Sequence, residues 1–356
     1  MKETLSASKI KTLKSCSWQY WCKYHLKLPD KTNSGALKGE IVHLVLECLG
    51  EARHKKHYDL IIKKKKIFAS KGIKKLVLKH VKKKKLKSLD ENCIEDICEM
   101  AYKGVLYDFF GKNFGQPSEV VSEKDFELTI ENAAVSYKVK GFIDKLFVYE
   151  NSAACIIRDF KTNKKKYEGK EISDNLQDYI YTLAVTKLYP HLKDVKMEFV
   201  FLKQDLEKDG VLVMESKSEH ELKGFELELS EYQKYADSFT EKTATSNLAA
   251  KQGMPKDGSF SGKLLCGFAS KPNEKKKDGS PKWSCTYKFP FNYFVALDKE
   301  GIVKKSAFTK AEIEKLNLPF NYKIEERHYG GCPAFNSPID NFLETKKVYA
   351  SDDDFF

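Results

Sequence analysis

The sequence lacks any long uninterrupted apolar run. No stretch among its 356 residues approaches the ~18 consecutive apolar residues of a membrane-spanning helix. The N-terminal segment, MKETLSASKIKTLKSCSW, contains no apolar core of a signal peptide. We therefore predict an intracellular protein, cytoplasmic or nucleoid-associated, with no membrane partner. A phage or bacterial origin is compatible with that location.

The sequence also lacks the compact cysteine framework of a secreted disulfide-rich protein. Its nine cysteines are an odd number and are scattered along the chain. Disulfide scaffolds are small secreted domains with an even number of closely spaced cysteines. The cysteines are therefore expected to be free thiols, metal ligands or both.

Acidic residues are in the minority. Lys and Arg number 63 and Asp and Glu number 51, which gives a formal net charge of +12. Such a surplus favours a polyanionic partner, nucleic acid first and an anionic membrane surface second. Positive charge that serves only solubility is the alternative.

Much of this charge lies in a lysine-rich segment, residues 55–87. It holds fifteen lysines and a single acidic residue, Asp59. Apolar residues interrupt the lysines, which predicts partly packed helices rather than a disordered tail. The segment would contact nucleic-acid phosphates without reading sequence, and a solvated helix face is the alternative. The lysines assigned to this contact are Lys82, Lys83, Lys84 and Lys85.

A pair of strands is predicted over residues 141–161, GFIDKLFVYENSAACIIRDFK. Asn151-Ser152 stands where a two-residue hairpin loop would fall. That loop makes opposed residue numbers sum to 303, so Asp144 faces Asp159 and Phe142 faces Lys161. The sequence therefore places two carboxylates and an amine at one end of an otherwise apolar face.

Two carboxylates at opposed positions need compensation. Opposed Cβ atoms lie roughly 5 Å apart, and like charges there are destabilising. Burial beside apolar side chains adds a further cost. A divalent cation such as Mg²⁺ is commonly held by one or two carboxylates, so the pair predicts a metal site. The alternative is a solvated strand end that carries charges.

A helix is predicted before the hairpin, over residues 36–53. It has an apolar stripe and, on another line, Gly39, His43 and Glu47 at four-residue spacing. A neutral imidazole can ligate a metal, and Glu47 could orient it or join it. A packed structural histidine is the alternative.

A second helix is predicted after the hairpin, over residues 175–189. Asp174 or Ser173 is a suitable N-cap, and Gln177 and Tyr181 lie four residues apart on one face. Periodicity predicts further helices over residues 88–112 and 230–250, and strands over residues 119–130, 195–203 and 211–216.

Taken in chain order, these residues resemble a known family. His43 on a helix is followed by Asp144 in GFID, then by Asp159-Phe160-Lys161, then by Gln177-x-x-x-Tyr181. This order resembles the RecB-like branch of the PD-(D/E)XK nuclease superfamily. LSASKIKTLKSCSWQYW and GEIVHLVLE are similar to the opening segment and the first helix of that branch. The resemblance covers roughly residues 5–50 and 120–203.

The resemblance implies an α/β fold: a restriction-endonuclease-like core of a helix, a mixed four- to five-stranded sheet and a second helix. It implies that Asp144 and Asp159 hold Mg²⁺ or Mn²⁺, with His43 as a further ligand. Lys161 would orient or activate the attacking water, or stabilise charge on the phosphate. Gln177 and Tyr181 would position DNA or the metal shell. Ile143 stands where the family name has Pro. Glu123 could be an additional acidic member of the site, but it is left out because its strand register is uncertain.

A second resemblance concerns four cysteines. Some RecB-like nucleases hold a [4Fe–4S] cluster with one N-terminal cysteine and three near the C-terminus, which here would be Cys16, Cys266, Cys285 and Cys332. The last three are separated by 18 and 46 residues, farther apart than is usual in that branch. Thiolate ligands can be distant in sequence, so a cluster, a zinc site and free thiols all remain open.

The organisation predicted from these patterns has two parts. Residues 1–252 form the nuclease core with a helical insertion at 55–115, and residues 253–356 form an irregular cysteine-containing extension with an acidic tail. The tail is either a disordered end or a segment that docks a partner or mimics DNA. Gly258–Leu264 resembles a phosphate-binding P-loop but is one residue short and lacks Ser or Thr after Lys263. A helicase or single-strand-binding protein that works with this chain would therefore be a separate protein.

The predicted function is metal-dependent hydrolysis of DNA phosphodiester bonds. The expected activity is that of an exonuclease or end-processing enzyme of recombination, repair or phage-type replication. One alternative is a non-cleaving nucleic-acid-binding protein that uses the same fold as a scaffold. Another is a site-specific endonuclease.

Overall fold

The computed structural model describes residues 3–31, 33–88, 90–251, 265–315 and 322–336. These residues form two compact units. The first unit takes the described residues of Met1–Ala7 and Thr32–Asp237, and the second takes those of Ser8–Lys31 and Ser238–Phe356. The division between residues 252 and 253 that composition suggests stays a prediction. The P-loop-like segment Gly258–Leu264 and the acidic tail lie outside the described residues.

The first unit is an α/β domain. In chain order its helices and strands are α3 (Ser34–Gly50), α4 (Lys55–Lys64), α5 (Lys71–Lys83), α6 (Cys93–Leu106), β1 (Glu119–Glu131), β2 (Ser136–Tyr149), β3 (Ala154–Lys161), α7 (Lys170–Ser173), α8 (Leu176–Leu188), β4 (Asp194–Phe201), β5 (Val211–Met214) and α9 (Glu219–Asp237). Two helices precede them in the chain, α1 (Ala7–Ser15) and α2 (Ser17–Tyr20), and apart from Ala7 they belong to the second unit. The predicted fold class is confirmed.

The sheet of this unit has five strands in the order β1-β2-β3-β4-β5. All neighbouring strands are antiparallel except β3 and β4, which are parallel and linked through α8. Most residues of β3 and β4 are buried, as expected for strands covered on both faces. The mixed sheet therefore matches the sequence-based expectation.

The hairpin of β2 and β3 has the predicted register but a different turn. Its paired residues run from Lys145 opposite Arg158 to Tyr149 opposite Ala154, and their numbers sum to 303. The loop is not the predicted two-residue turn: a 3₁₀ turn covers Glu150–Ser152, and Ala153 is left-handed with φ 48°. Both loops have the same midpoint, so the longer turn leaves the register unchanged.

The two strands separate at the end of this ladder. Asp144 opposite Asp159 and Phe142 opposite Lys161 are not backbone-paired. Instead the backbone N–H of Phe160 donates to Asp144 Oδ2 at 2.7 Å, so a side-chain carboxylate takes the place of a strand partner. Strand β3 continues beside β4 as far as Lys161.

The lysine-rich segment is helical and packed, as predicted. Helices α4 and α5 place their apolar residues, among them Ile61, Ile73, Val77 and Val81, in a core shared with α3 and α6. The Ser70 side chain accepts from the Ile73 N–H and caps α5. The lysines are thus attached to a fixed framework.

Several predicted boundaries are wrong. Helix α8 is capped by Asn175, whose side chain accepts from Gln177 and Asp178, rather than by Asp174 or Ser173. The helix predicted over residues 230–250 begins at Glu219 and ends at Asp237, because residues such as Phe225 continue its buried side further toward the N-terminus.

The second unit contains a three-stranded antiparallel sheet in the order β7-β6-β8. Its elements after the short helix α10 (Glu241–Ala244) are β6 (Phe291–Leu297), β7 (Val303–Ala307), α11 (Lys310–Glu314), β8 (Lys323–Tyr329) and α12 (Pro333–Asn336). This sheet lies within the region expected to be irregular. Among the described residues, no helix has both the length and the apolar composition needed to cross a bilayer.

Candidate active site

Helix α3 brings His43 to the end of the hairpin. The opposite side of α3 packs into the core with buried residues such as Val42 and Val45. This packing fixes the orientation of the helix. A Cβ on Gly39 would lie 2.6 Å from Thr162 Oγ1. Glycine at this position therefore lets the helix approach the chain just beyond β3.

Three side chains converge here into a group that could hold a metal ion. Each of His43, Glu123 and Asp144 offers one ligand atom, and these atoms lie within 4.8 Å of one another. The His43 Nδ1 atom is 3.2 Å from Asp144 Oδ1. One imidazole and two carboxylates suit a divalent cation.

Glu123 has a strained backbone. The flanking pairs Ser122–Lys145 and Lys124–Ile143 place it opposite Asp144 between β1 and β2. Its φ is 50°, in the left-handed region, which costs a non-glycine residue about 1–3 kcal/mol. Two carboxylates are therefore held face to face, and one of them is held by an unfavourable backbone conformation, as is frequent at functional sites.

The electrostatics of the group indicate too much negative charge. Burial, together with the charges of Asp144 and Glu47, raises the pKa of Glu123 to about 7. Burial alone would lower the pKa of His43, but the charge of Asp144 and the hydrogen bond to it raise that pKa to about 9. The neighbouring carboxylates repel one another, and a bound cation would relieve that repulsion.

Three further side chains lie beside this metal group and contact one another: Asp159, Lys161 and Gln177. Lys161 Nζ is 2.8 Å from Asp159 Oδ2 and donates to Gln177 Oε1 at 2.6 Å. Gln177 Nε2 in turn donates to Asp159 Oδ1. The three side chains hold one another in place, and the amine of Lys161 is fixed beside the carboxylate.

Asp159 is almost completely buried. Burial raises the pKa of its carboxyl, Lys161 lowers it and Asp144 raises it again. Its Oδ2 atom accepts no hydrogen bond of suitable geometry within the described part of the chain. The ammonium of Lys161, 2.8 Å from this atom, compensates its charge, and Asp159 lies beside the group of His43, Glu123 and Asp144 rather than within it.

Tyr181 has a different environment from Gln177. It is mostly buried, and its ring meets Phe126 edge to face with centroids 5.5 Å apart. Burial raises the pKa of its hydroxyl, and a hydrogen bond with Gln177 lowers it. Of the two helix residues, Gln177 contacts Asp159 and Lys161 directly, and Tyr181 lies behind it.

Sequence reasoning gives no role to Glu123. The signal that would find it is the hairpin of β1 and β2, in which opposed residue numbers sum to 267 and 123 falls opposite 144. The segment between the strands contains no short two-residue turn that would fix this register. The sequence alone therefore does not place Glu123 beside Asp144.

Part of the lysine run reaches the same site. A cleft of about 660 Å³ holds His43, Glu123 and Asp144, and its wall includes Lys83 and Lys84. Lys82 and Lys85 are exposed and are not among the residues that line this cleft. The four lysines therefore divide into two pairs.

The four cysteines assigned to a cluster all lie in the second unit. The backbone N–H of Cys285 donates to the Cys266 carbonyl at 3.1 Å, and Lys288 links Cys285 to Cys332 through backbone hydrogen bonds of 3.1 and 3.3 Å. Burial, together with the charges of Cys16, Cys266 and Cys285, raises the pKa of Cys332 to about 12. The four thiols thus interact with one another although they are far apart in sequence.

Their spacing is wider than that of the metal group described above. Within the described residues, no three of these sulfur atoms lie within 4.8 Å of one another. Ligands of a tetrahedral zinc ion at 2.3 Å would be about 3.8 Å apart.

The chain is similar to one protein superfamily and to two solved structures. The family model of the PD-(D/E)XK nuclease superfamily matches residues 4–258. Among solved structures, a candidate exonuclease from Eubacterium rectale is 10% identical, with a TM-score of 0.42, and the match covers 69% of this chain and 82% of that chain. The structure of SSO0001 is 14% identical, with a TM-score of 0.27, and the match covers 61% of this chain and 82% of that chain. Among curated proteins, none matches the sequence at a significant level.

The family match covers well over half of the chain. It includes Asp144, the Asp159-Phe160-Lys161 tripeptide and the five-stranded mixed sheet that carries them. The sequence order of Asp144, Asp159 and Lys161 resembles the motif after which the superfamily is named. The chain belongs to the PD-(D/E)XK nuclease superfamily.

Proposed function

We propose that the chain is a divalent-metal-dependent DNA nuclease of the RecB-like branch, acting as an exonuclease or end-processing enzyme. The observation that carries the proposal is the convergence of His43, Glu123 and Asp144 beside the fixed Asp159–Lys161 pair. Gln177-x-x-x-Tyr181 on α8 supports the branch. A role at DNA ends in recombination, repair or phage-type replication rests on the family resemblance.

The donor set fits Mg²⁺ or Mn²⁺. His43, Glu123 and Asp144 would supply one nitrogen and two carboxylate groups, and the adjoining carboxylate of Asp159 would add a third. When bound, the cation would polarise a phosphoryl oxygen and lower the pKa of a bound water. Burial and neighbouring carboxylates raise the pKa values of Glu123 and Asp159, and a bound cation would favour the ionised form of both side chains.

The residues of the chain have separate tasks in this proposal. Lys161 places a positive charge beside the phosphate and stabilises the charge that develops on its oxygens. Asp159 and Gln177 hold the Lys161 amine in position through the contacts described above. Lys83 and Lys84, which line the cleft, are assigned to binding of the nucleic acid, and Tyr181 is assigned to positioning through its hydrogen bond with Gln177.

The cleavage assay uses end-labelled linear DNA and closed circular DNA with the whole protein. Degradation is expected with Mg²⁺ or Mn²⁺ and none with EDTA, and Asp159→Ala is expected to lose it. Loss of linear DNA alone supports an exonuclease, whereas cutting of the circle at fixed positions identifies a site-specific endonuclease. Binding without cleavage under every metal would instead indicate the non-cleaving scaffold.

We also propose that Cys16, Cys266, Cys285 and Cys332 hold an iron–sulfur cluster. Burial raises the thiol pKa values of Cys266, Cys285 and Cys332, and a bound cation would favour their thiolate forms. Their separation is greater than one zinc ion requires, which favours a larger centre. Iron and inorganic sulfide, measured in protein purified without oxygen, should both be present and should fall in Cys285→Ser. Zinc in place of iron would contradict this assignment.

A further inference from the structure

The cleft that holds the candidate metal group has a wall from the lysine-rich insertion. Helix α5 ends at Lys83, and His80, Lys83 and Lys84 line the cleft together with Phe142 and Asp144. The wall is a consequence of the insertion's packing, because buried residues of α5 fix this helix in the core of the first unit. A basic surface and the reacting centre therefore share one cavity.

Helical geometry explains which basic residues enter the cleft. His80, Lys83 and Lys84 have spacings of three and four residues, so they lie on one face of α5 and its end. Lys82 falls on another face, and Lys85 follows the helix with a left-handed φ of 50°. Lysines that are adjacent in sequence therefore point to different sides of the helix and form two groups.

The basic wall is held in place by an acidic residue of α3. Lys84 forms an ion pair with Glu40, which also lines the cleft. Burial and the neighbouring lysines lower the pKa of His80, which favours a neutral imidazole that can donate a hydrogen bond. Lys83 is exposed, so its ammonium is accessible to an anion in the cleft.

Phe142 provides the opposite kind of surface in the same cleft. It lies two residues before Asp144 on β2, and 59% of its side chain is exposed. The adjacent Ile143 is fully buried, so the strand itself is well packed here. An aromatic face open to solvent beside a charged cleft suits the stacking of a nucleobase.

We propose that this cleft is a nucleotide subsite for single-stranded nucleic acid. A base stacks on Phe142, and a phosphate next to the scissile one contacts Lys83 and Lys84, with His80 as a hydrogen-bond donor. A single strand is the expected occupant because the faces of bases in a duplex are covered by their neighbours in the stack. This subsite rests on the proposed nuclease function, since it defines which form of the substrate reaches the metal group.

Binding is tested with the whole protein and a fluorescent single-stranded oligonucleotide in EDTA, where cleavage is absent. Phe142→Ala should weaken binding by about 5- to 150-fold, the range found for one stacked base. Phe114→Ala is the matched control, because that ring is 56% exposed outside the cleft, and it should leave affinity unchanged. Phe142→Trp should retain binding. Equal effects of the two alanine variants would overturn the stacking assignment.

The two lysine pairs give a second, independent test. Lys83→Ala with Lys84→Ala should lower the slope of log affinity against log salt by about 0.7 for each phosphate that the variant no longer neutralises. Lys82→Ala with Lys85→Ala removes the same charge and should leave the slope nearly unchanged. Equal changes would mean that the lysines act only as a diffuse field, which contradicts the subsite.

An abasic probe separates stacking from general binding. An oligonucleotide that lacks the base at the stacked position should bind wild type and Phe142→Ala alike. A persistent difference between them would contradict the assignment. Cleavage with Mg²⁺ is measured apart from binding, so a chain that binds selectively without cleaving would keep the subsite and refute the nuclease. A chain that cleaves DNA while all variants bind alike would keep the nuclease and refute the subsite.

Discussion

Strands β2 and β3 carry two neighbouring groups of charged side chains. The two groups differ in how far their positive and negative charges compensate one another. Asp144 and Asp159 belong to the candidate metal site, whereas the next residue on β2, Lys145, and the preceding one on β3, Arg158, belong to a second group. Arg158 is fully buried and pairs with Glu198 and with Asp108. The second group therefore contains its own counter-charges.

The backbone completes the second group. Arg158 Nη1 donates to the carbonyls of Asp108 and Tyr107 at 2.7 and 3.2 Å, and the Tyr107 hydroxyl donates to Glu198 at 2.8 Å. In the first group, by contrast, Glu123 and Asp144 oppose each other. A buried cluster that contains its own counter-charges is self-sufficient, whereas one with surplus charge of one sign is relieved by protonation or by a bound counter-ion.

The largest expected effect is the loss of cleavage in Asp144→Asn. The amide keeps the shape of the side chain but cannot compensate a cation, so activity should fall at least about a thousandfold, as expected when several kcal/mol of transition-state charge stabilisation are removed. Without metal, the unfolding midpoint should change little, because relief of the repulsion with Glu123 and loss of the ion pair with His43 oppose each other. Asp125→Asn, an exposed residue of β1, is the matched control. Full activity in Asp144→Asn would remove this residue from the site.

Removing a charge from the second group should lower the stability of the fold. Glu198→Gln leaves the Arg158 guanidinium buried with less counter-charge, which typically costs about 3–5 kcal/mol of unfolding free energy. Urea denaturation of the two proteins measures the difference. A cost near zero would show that this pair is not needed for stability, and the proposed contrast between the groups would fail.

Metal should stabilise the folded chain through the first group alone. At a free Mn²⁺ concentration one hundred times its dissociation constant, binding adds about 2.7 kcal/mol to the unfolding free energy. Glu123→Gln should reduce this gain, since a carboxylate is removed from the ligand set. Thermal unfolding with and without Mn²⁺ tests it, and an undiminished gain in Glu123→Gln would exclude that residue as a ligand.

A smaller effect concerns the pH dependence of stability. Burial, with a contribution from the charge of Arg158, lowers the pKa of Lys145 to about 7, against an unfolded value near 10.4. Between these values the folded state binds fewer protons than the unfolded state, so stability rises with pH, by about 1–2 kcal/mol from pH 7 to pH 9.

Lys145→Met should abolish that increment, because the variant has no amine to titrate. Its ring neighbours remain suitable for a thioether, since the Lys145 amine lies 3.7 Å from the centroid of Phe109. Denaturation of both proteins across this pH range isolates the difference from other titrating groups. Parallel curves would show that Lys145 keeps its charge in the folded state.

The sequence predicted the elements that depend on local pattern. The register of β2 and β3 followed from the midpoint of their loop, and it survived an incorrect turn type. The packing of the lysine-rich helices followed from the apolar residues among their lysines. The superfamily was identified from the order of several motifs, from the N-terminal segment and His43 through Asp144 and Asp159-Phe160-Lys161 to Gln177-x-x-x-Tyr181, and its model matches the chain.

Features that depend on tertiary geometry were not predicted. Glu123 reaches the site because β1 pairs with β2. The register of that pair could not be predicted, because no short turn joins the two strands. Asn175, not Ser173 or Asp174, caps α8, because three residues suitable for capping stand together and only the folded chain selects one. The division of the four lysines into two pairs depends on where α5 ends, which lies within the uncertainty of any periodicity argument.

The central claim is that the surplus negative charge of the first group binds a divalent cation. Direct titration of metal-free protein with Mn²⁺, followed by electron paramagnetic resonance of the free ion, tests it with wild type, Asp144→Asn and the control Asp125→Asn. The account predicts binding by wild type and the control, and strongly weakened binding by Asp144→Asn. Equal binding by all three proteins, or none by wild type, would contradict it.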